Sequence, residues 1–151
     1  MHVFITGGTG LIGSTVVAEL LGNGHTVLAL ARSGSSAAAL QSAGAEPLRG
    51  NLADLPALRA GAAKADGVIH LAFANDFSSP AALADAVAEE GAALAAMGEE
   101  LTGTGRPLVT VSGTPYVPGR LSTEADPVRT DGPVGGRGRS VLRAWPGPGR
   151  P

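Results

Sequence analysis

One short stretch of this chain has residue types and spacing suited to chemistry: Thr6-Gly7-Gly8-Thr9-Gly10-Leu11-Ile12-Gly13. Glycines at 7 and 8 permit a tight turn, and glycine at 10 lets a backbone approach a pyrophosphate with no Cβ in the way. Glycine at 13 lets a following helix pack closely on a sheet. A helix starting there would aim its unpaired N–H groups and positive dipole end at the phosphates. In a chain holding 23 glycines such a pattern can also be only a flexible turn, so its meaning depends on the elements around it. Other reactive groups are scarce. The absence of cysteine removes thiolate nucleophiles, disulfides and thiolate zinc sites, and histidines at 2, 25 and 70 are too widely spaced to suggest a metal site.

The elements that must position this loop are legible from periodicity. An apolar run at His2 to Thr6 precedes it, and a helix from about Leu11 to Leu21 follows, with Ile12, Val16 and Leu20 recurring every four residues as one expected buried stripe. Gly22, Asn23 and Gly24 end that helix. The pattern then alternates: a strand at Thr26 to Ala31, a helix from Ser35 to Ala43, a short strand near Glu46 to Leu48, and a helix around Leu55 to Ala63. A fourth strand is predicted over Gly67 to Ala72, apolar enough to be covered on both faces. Ser79 and Pro80 supply the cap and first-turn proline of a long helix to about Leu101, with Leu83, Val87, Leu94 and Leu101 inward, and a fifth strand runs from Pro107 to Ser112. Strands joined by helical crossovers make a parallel sheet, so the class is α/β, and ligands bind beyond the carboxyl ends of its strands. The glycine loop stands at such an end.

Length and composition bound the rest. At 151 residues, 44% hydrophobic and 16% charged, the chain reads as one soluble globular domain. No apolar run approaches the roughly 18–20 residues of a membrane span, and Met1 to Thr6 lack a signal peptide's basic start, so a cytoplasmic location is expected. A net charge of -2 gives no reason to expect nucleic acid. Every acidic residue lies at or before Asp131, after which GPVGGRGRSVLRAWPGPGRP carries arginine as its only charge. Residues 1–131 are therefore read as the folded domain and 132–151 as a disordered tail, in which only Val141 to Trp145 could pack.

The stretch HVFITGGTGLIGSTVVAELLGNGHTVLALARS resembles the start of an extended or atypical short-chain dehydrogenase/reductase, of the NAD(P)-dependent epimerase/dehydratase type. The likeness continues through Asn51-Leu52, where the family usually has Asp-Leu beside the adenine, through DGVIHLA (Asp66 to Ala72), and into LVTVSGT (Leu108 to Thr114). It implies a Rossmann-type doubly wound sheet of strand order 3-2-1-4-5 and a bound nicotinamide nucleotide. The residues implied to hold that nucleotide are the loop Thr6 to Gly13, the end of strand two at Arg32 and Ser33, Asn51 and Leu52, and His70, Leu71 and Ala72 on strand four. No acid follows strand two to accept from the ribose of NAD, whereas the Arg32 guanidinium suits a 2'-phosphate, so NADP(H) is expected over NAD(H). The plainer alternative makes Arg32 a solvated strand-end charge. Asn51 would either meet the adenine or cap the next helix, and His70 would either line the cofactor cleft or be a hydrogen-bonded core histidine.

The family's reaction is hydride transfer between cofactor and a small carbonyl or alcohol substrate, using a serine, a tyrosine and a lysine four residues after the tyrosine. Ser112 matches the serine by position. The pair has no match: Lys64, the only lysine, precedes strand four and belongs at the amino edge of the sheet, while Arg120 follows Tyr116 by four residues across Pro118 and Gly119, which forbid a helix. The strands, helices and substrate region that follow strand five in the family are not recognisable, and the alanine-, glycine-, proline- and arginine-rich composition suggests a truncated or frameshifted reductase. One face of strands four and five, including Val109 and Val111 or their alternate neighbours, is then expected to be uncovered, favouring a homodimer or aggregation. The alternatives to a reductase are a non-catalytic nicotinamide-nucleotide-binding module and an inactive fragment.

Overall fold

The computed structural model describes residues 1–111, 117–123 and 125–127. Its elements are β1 (His2–Thr6), α1 (Leu11–Gly22), β2 (Thr26–Ala31), α2 (Gly34–Ala43), β3 (Glu46–Arg49), α3 (Leu55–Lys64), β4 (Gly67–His70), α4 (Pro80–Leu101) and β5 (Leu108–Thr110). The strands form one parallel sheet in the order β3-β2-β1-β4-β5, the Rossmann-like α/β arrangement. Ser112, Tyr116 and the 132–151 tail lie outside the described residues.

Side chains alternate along each strand, and the two faces build two cores. Phe4, Leu28, Leu30 and Val68 face α3 and α4, packing with Leu58, Ala62, Ala93, Met97 and Leu101. Ile5, Val27, Ala29 and Ala31 face α1 and α2, packing with Val17 and Leu40. β2 is buried almost throughout because both faces are covered and both edges paired.

Three expectations change. Ile12 is 60% exposed, and Gly13 and Val17 are the buried residues of α1, with Val16, Leu20 and Leu21 partly buried beside them. The inward stripe is therefore 13-16-17-20-21, because a helix buries a band at i, i+3, i+4 and i+7 rather than a single i+4 row. β4 stops at His70, where its ladders to both β1 and β5 end, so Leu71 and Ala72 leave the sheet as loop. β5 is likewise shorter than expected, ending at Thr110. The uncovered face expected on strands four and five is confined to β5 and the residue after it, where Val109 and Val111 are 54% and 45% exposed, while β4 is covered. By register Val109 pairs with Ile69, whose packing is with the α1 and α2 core, so the open patch lies on that face of the sheet.

Candidate functional site

The register places Thr6, His70 and Thr110 in one row across β1, β4 and β5, and the glycine loop leaves the sheet from the first of them. Gly7 has φ +75, and a Cβ built on it would stand 2.8 Å from the backbone nitrogen of Ala72, so the loop is pressed against the segment leaving β4. A Cβ on Gly13 would stand 2.0 Å from the carbonyl oxygen of Gly7, which brings the first turn of α1 down onto the loop itself. Gly8 needs no left-handed backbone; it is buried over Val17 and Leu40.

The N-termini of the helices differ in a way that bears on ligand binding. Ser33 caps α2 in a reciprocal box with Ser36, Asp54 caps α3 by accepting from the Ala57 N–H at 3.1 Å, and Ser79 caps α4 by accepting from the Ala82 N–H at 3.0 Å. α1 begins at Gly10 with no side-chain cap and no acidic residue in its first turn. Its first N–H groups and dipole end therefore point toward the glycine loop without a competing side-chain acceptor.

Above the loop runs a groove of about 660 Å³. Gly7, Thr9 and Gly10 form its floor, Leu30, Arg32 and Ser36 its end over β2, and Asn51 and Leu52 the wall following β3. The opposite wall is the segment Leu71 to Asn75, and Glu89 enters from α4.

Eight residues expected from sequence to bind cofactor thus line one groove: Gly7, Thr9, Gly10, Arg32, Asn51, Leu52, Leu71 and Ala72. The others stand around it. Leu11 and Ile12 are exposed at the start of α1, Gly8 and Gly13 are buried beneath the loop, and Ser33 is the cap of α2. Thr6 and His70 are buried, with His70 Nδ1 2.7 Å from Thr6 Oγ1, and the same hydroxyl accepts from the Ala72 N–H at 3.3 Å. His70 is therefore a hydrogen-bonded core histidine that ties β4 to β1 under the loop. Asn51 does not cap α3, since Asp54 does; its side-chain oxygen instead accepts from the Ala53 N–H at 2.9 Å.

The candidate proton-transfer groups are not brought together. Lys64 ends α3, just before β4 begins, at the amino edge of the sheet and away from the groove. The Arg120 guanidinium is held by both carboxylate oxygens of Asp126, which also accepts from the Thr123 N–H at 2.8 Å. Those bonds hold the Asp126 carboxyl below its ordinary range, Arg120 being the larger cause, and raise the Arg120 pKa in turn. Among the described residues no cluster of histidine, aspartate and glutamate could hold a metal ion, and no helix is long and apolar enough to cross a membrane.

Sequence reasoning missed Leu30, Ser36, Phe73, Ala74, Asn75 and Glu89 as groove residues. Ser36 had a local signal, three residues after a serine cap. Glu89 had none, because its place on the groove depends on how α4 lies across the sheet.

Comparison with known proteins agrees with this geometry. The chain is 45% identical over 130 residues to an uncharacterized protein of Schizosaccharomyces pombe, a match covering 85% of this chain and 43% of that one. Among solved structures it resembles a short-chain dehydrogenase/reductase superfamily protein from Agrobacterium tumefaciens with bound NAD (TM-score 0.71, 24% identity, 95% of this chain and 44% of that one). It also resembles the Citrobacter sp. triphenylmethane reductase complexed with NADP(H) (TM-score 0.67, 14% identity, 94% of this chain and 44% of that one). The chain spans under half the length of each of these proteins, and at such identities the solved structures speak for the fold. The model of the NAD dependent epimerase/dehydratase family matches residues 3–133, and with that match over most of its length the chain belongs to the NAD-dependent epimerase/dehydratase family.

Proposed function

We propose that this chain binds a nicotinamide dinucleotide in the groove over the glycine loop, and that it prefers NADP(H). The observation carrying the reading is the cradle itself: Gly7 and Gly13 at positions where a Cβ would collide, under a helix whose N-terminus alone among α1 to α4 lacks a side-chain cap. The diphosphate would take the first N–H groups of α1, and its ribose would reach the end of β2. There Arg32 lines the groove beside Ser36, whose hydroxyl is engaged in the reciprocal cap with Ser33, and no carboxylate follows β2. A guanidinium suits a 2'-phosphate, and such charge-assisted bonds are worth about 1.5–3 kcal/mol, or roughly ten- to a hundredfold in affinity.

The reaction proposed with this cofactor is hydride transfer to or from a small carbonyl or alcohol compound, with Ser112 as the residue orienting the substrate oxygen. Bound in the groove, the nicotinamide would supply the hydride. What the chain's own residues do is hold and orient: the loop fixes the diphosphate, and the Thr6–His70 pair fixes the loop's base against Ala72. A second reading, a nucleotide-binding module without turnover, is favoured by the position of Lys64, the one lysine of the sequence, at the edge of the sheet opposite the groove. A homodimer through the open face at Val109 and Val111, and a cytoplasmic location, complete the proposal.

Calorimetric titration with NADPH and NADH, on the native chain and on Arg32→Ala, tests the binding reading. NADPH is expected to bind tighter by about ten- to a hundredfold, with most of the ratio lost in the variant. An unchanged ratio would remove the role of Arg32. NADPH consumption with a panel of aldehydes and ketones separates the reductase from the module.

A further inference from the structure

We infer that Glu89 reads the base of the bound nucleotide, selecting adenine through its exocyclic amine. The inference rests on the nicotinamide-nucleotide reading above. With the diphosphate at Gly7 to Gly10 and the ribose at Arg32, the base would lie further along the groove, among Asn51, Leu52, Ala74 and Glu89. Leu52 and Ala74 supply apolar surface for the faces of a planar heteroaromatic ring, and Asn51 and Glu89 supply polar groups for its edge.

The polar groups can be assigned by hydrogen-bond capacity. The Asn51 side-chain oxygen is already engaged by the Ala53 N–H at 2.9 Å, so Asn51 offers the groove its amide N–H groups, as a donor. An acceptor has to come from elsewhere. Glu89 is half-buried, lines the same groove, and makes no hydrogen bond or ion pair to any described residue. Its ionised carboxylate can only accept. One donor and one acceptor match adenine, whose ring nitrogens accept and whose 6-amino group donates. Hypoxanthine and guanine carry a carbonyl oxygen at that place. With the base anchored through its ribose and diphosphate, this oxygen would face the carboxylate, acceptor against acceptor.

The test is calorimetric titration of the full chain with NADPH and NADH, each against its hypoxanthine counterpart, repeated on Glu89→Gln and Glu89→Ala after matched unfolding curves have shown both variants to be folded. The native chain is expected to favour the adenine forms by about tenfold, the size of one charge-assisted hydrogen bond in a half-open groove. Glu89→Gln, which can both donate and accept, should bring the ratio close to one. Glu89→Ala should weaken the adenine forms and leave the hypoxanthine forms unchanged or improved. A native ratio of one, or a ratio unaltered by both variants, overturns the assignment while leaving nucleotide binding in place. Failure of the native chain to bind any of the four nucleotides overturns the nucleotide reading, and this inference with it.

Discussion

β2 and β5 are both short apolar parallel strands, yet their fates differ. β2 lies between β1 and β3 with helices on both faces, and from Val27 to Ala31 it is buried throughout. β5 pairs only with β4 among the described strands, and Val109 remains exposed on the face shared with α1 and α2. Burial is thus a property of where a strand sits and what covers it, not of its own hydropathy. The groove over the glycine loop takes one side of its lining from that loop and the covered flank of β2 and β3, and the other side from the segment after β4 and from α4. No described residue of β5 lines it.

The contrast can be broken by paired truncations. Leu28→Ala on the covered flank should cost about 2–5 kcal/mol, since a fully packed site cannot collapse around the void, and Val109→Ala on the open flank should stay within about 0.5 kcal/mol. Urea unfolding midpoints of the two variants measure this directly; similar losses would mean that something covers β5 in solution. The next effect is on binding and arises at the loop. Gly13→Ala places a methyl 2.0 Å from the Gly7 carbonyl oxygen, so the first turn of α1 must shift from the cradle. Affinity for NADPH should fall by about a hundredfold or more, in line with displacement of several charge-assisted bonds, while Gly22→Ala, which meets nothing within 4 Å, leaves binding unaltered.

The smallest effect concerns acid. The Asp126 carboxyl is held below its ordinary range by Arg120 and by the Thr123 backbone, so the folded turn binds a proton less readily than the unfolded chain. Its contribution to stability is fully present above the ordinary carboxylate pKa and is lost as pH falls through the lowered value. Carbon-detected titration of Asp126 alongside amide exchange at Thr123 should show this turn loosening in acid with little change in the overall unfolding midpoint, because the Arg120 side of the pair is 53% exposed and screened by water. An ordinary titration at Asp126 would mean that the ion pair with Arg120 does not persist in water.

The element order was legible because its signals are local. Glycines and serines mark the ends of α1, α2 and α4, apolar runs mark the strands, and alternation of the two implies parallel crossovers. The misread stripe of α1 also had a local remedy, since Gly13 belongs to the buried band and a glycine does not register as hydrophobic. His70 was open between two roles for a deeper reason. Its side chain leaves β4 toward the α3 and α4 face, and only the pairing of β4 with β1 sets it 2.7 Å from Thr6. Glu89 was invisible to sequence reading, because several acids along α4 have similar spacing and only the tilt of that helix across the sheet chooses which one meets the groove.

By itself, then, the sequence determined the class of fold, the phosphate-type loop and the absence of an acid after β2, since these depend on residue identity and on backbone geometry within a few positions. The tertiary structure decided which side chains share the groove, which glycines are sterically required, which face of β5 is open, and that Lys64 stands apart from the site. Apart from Gly13, which meets its own loop at Gly7, those outcomes depend on contacts between segments 24 to 64 residues apart, which sheet register sets and no local pattern encodes.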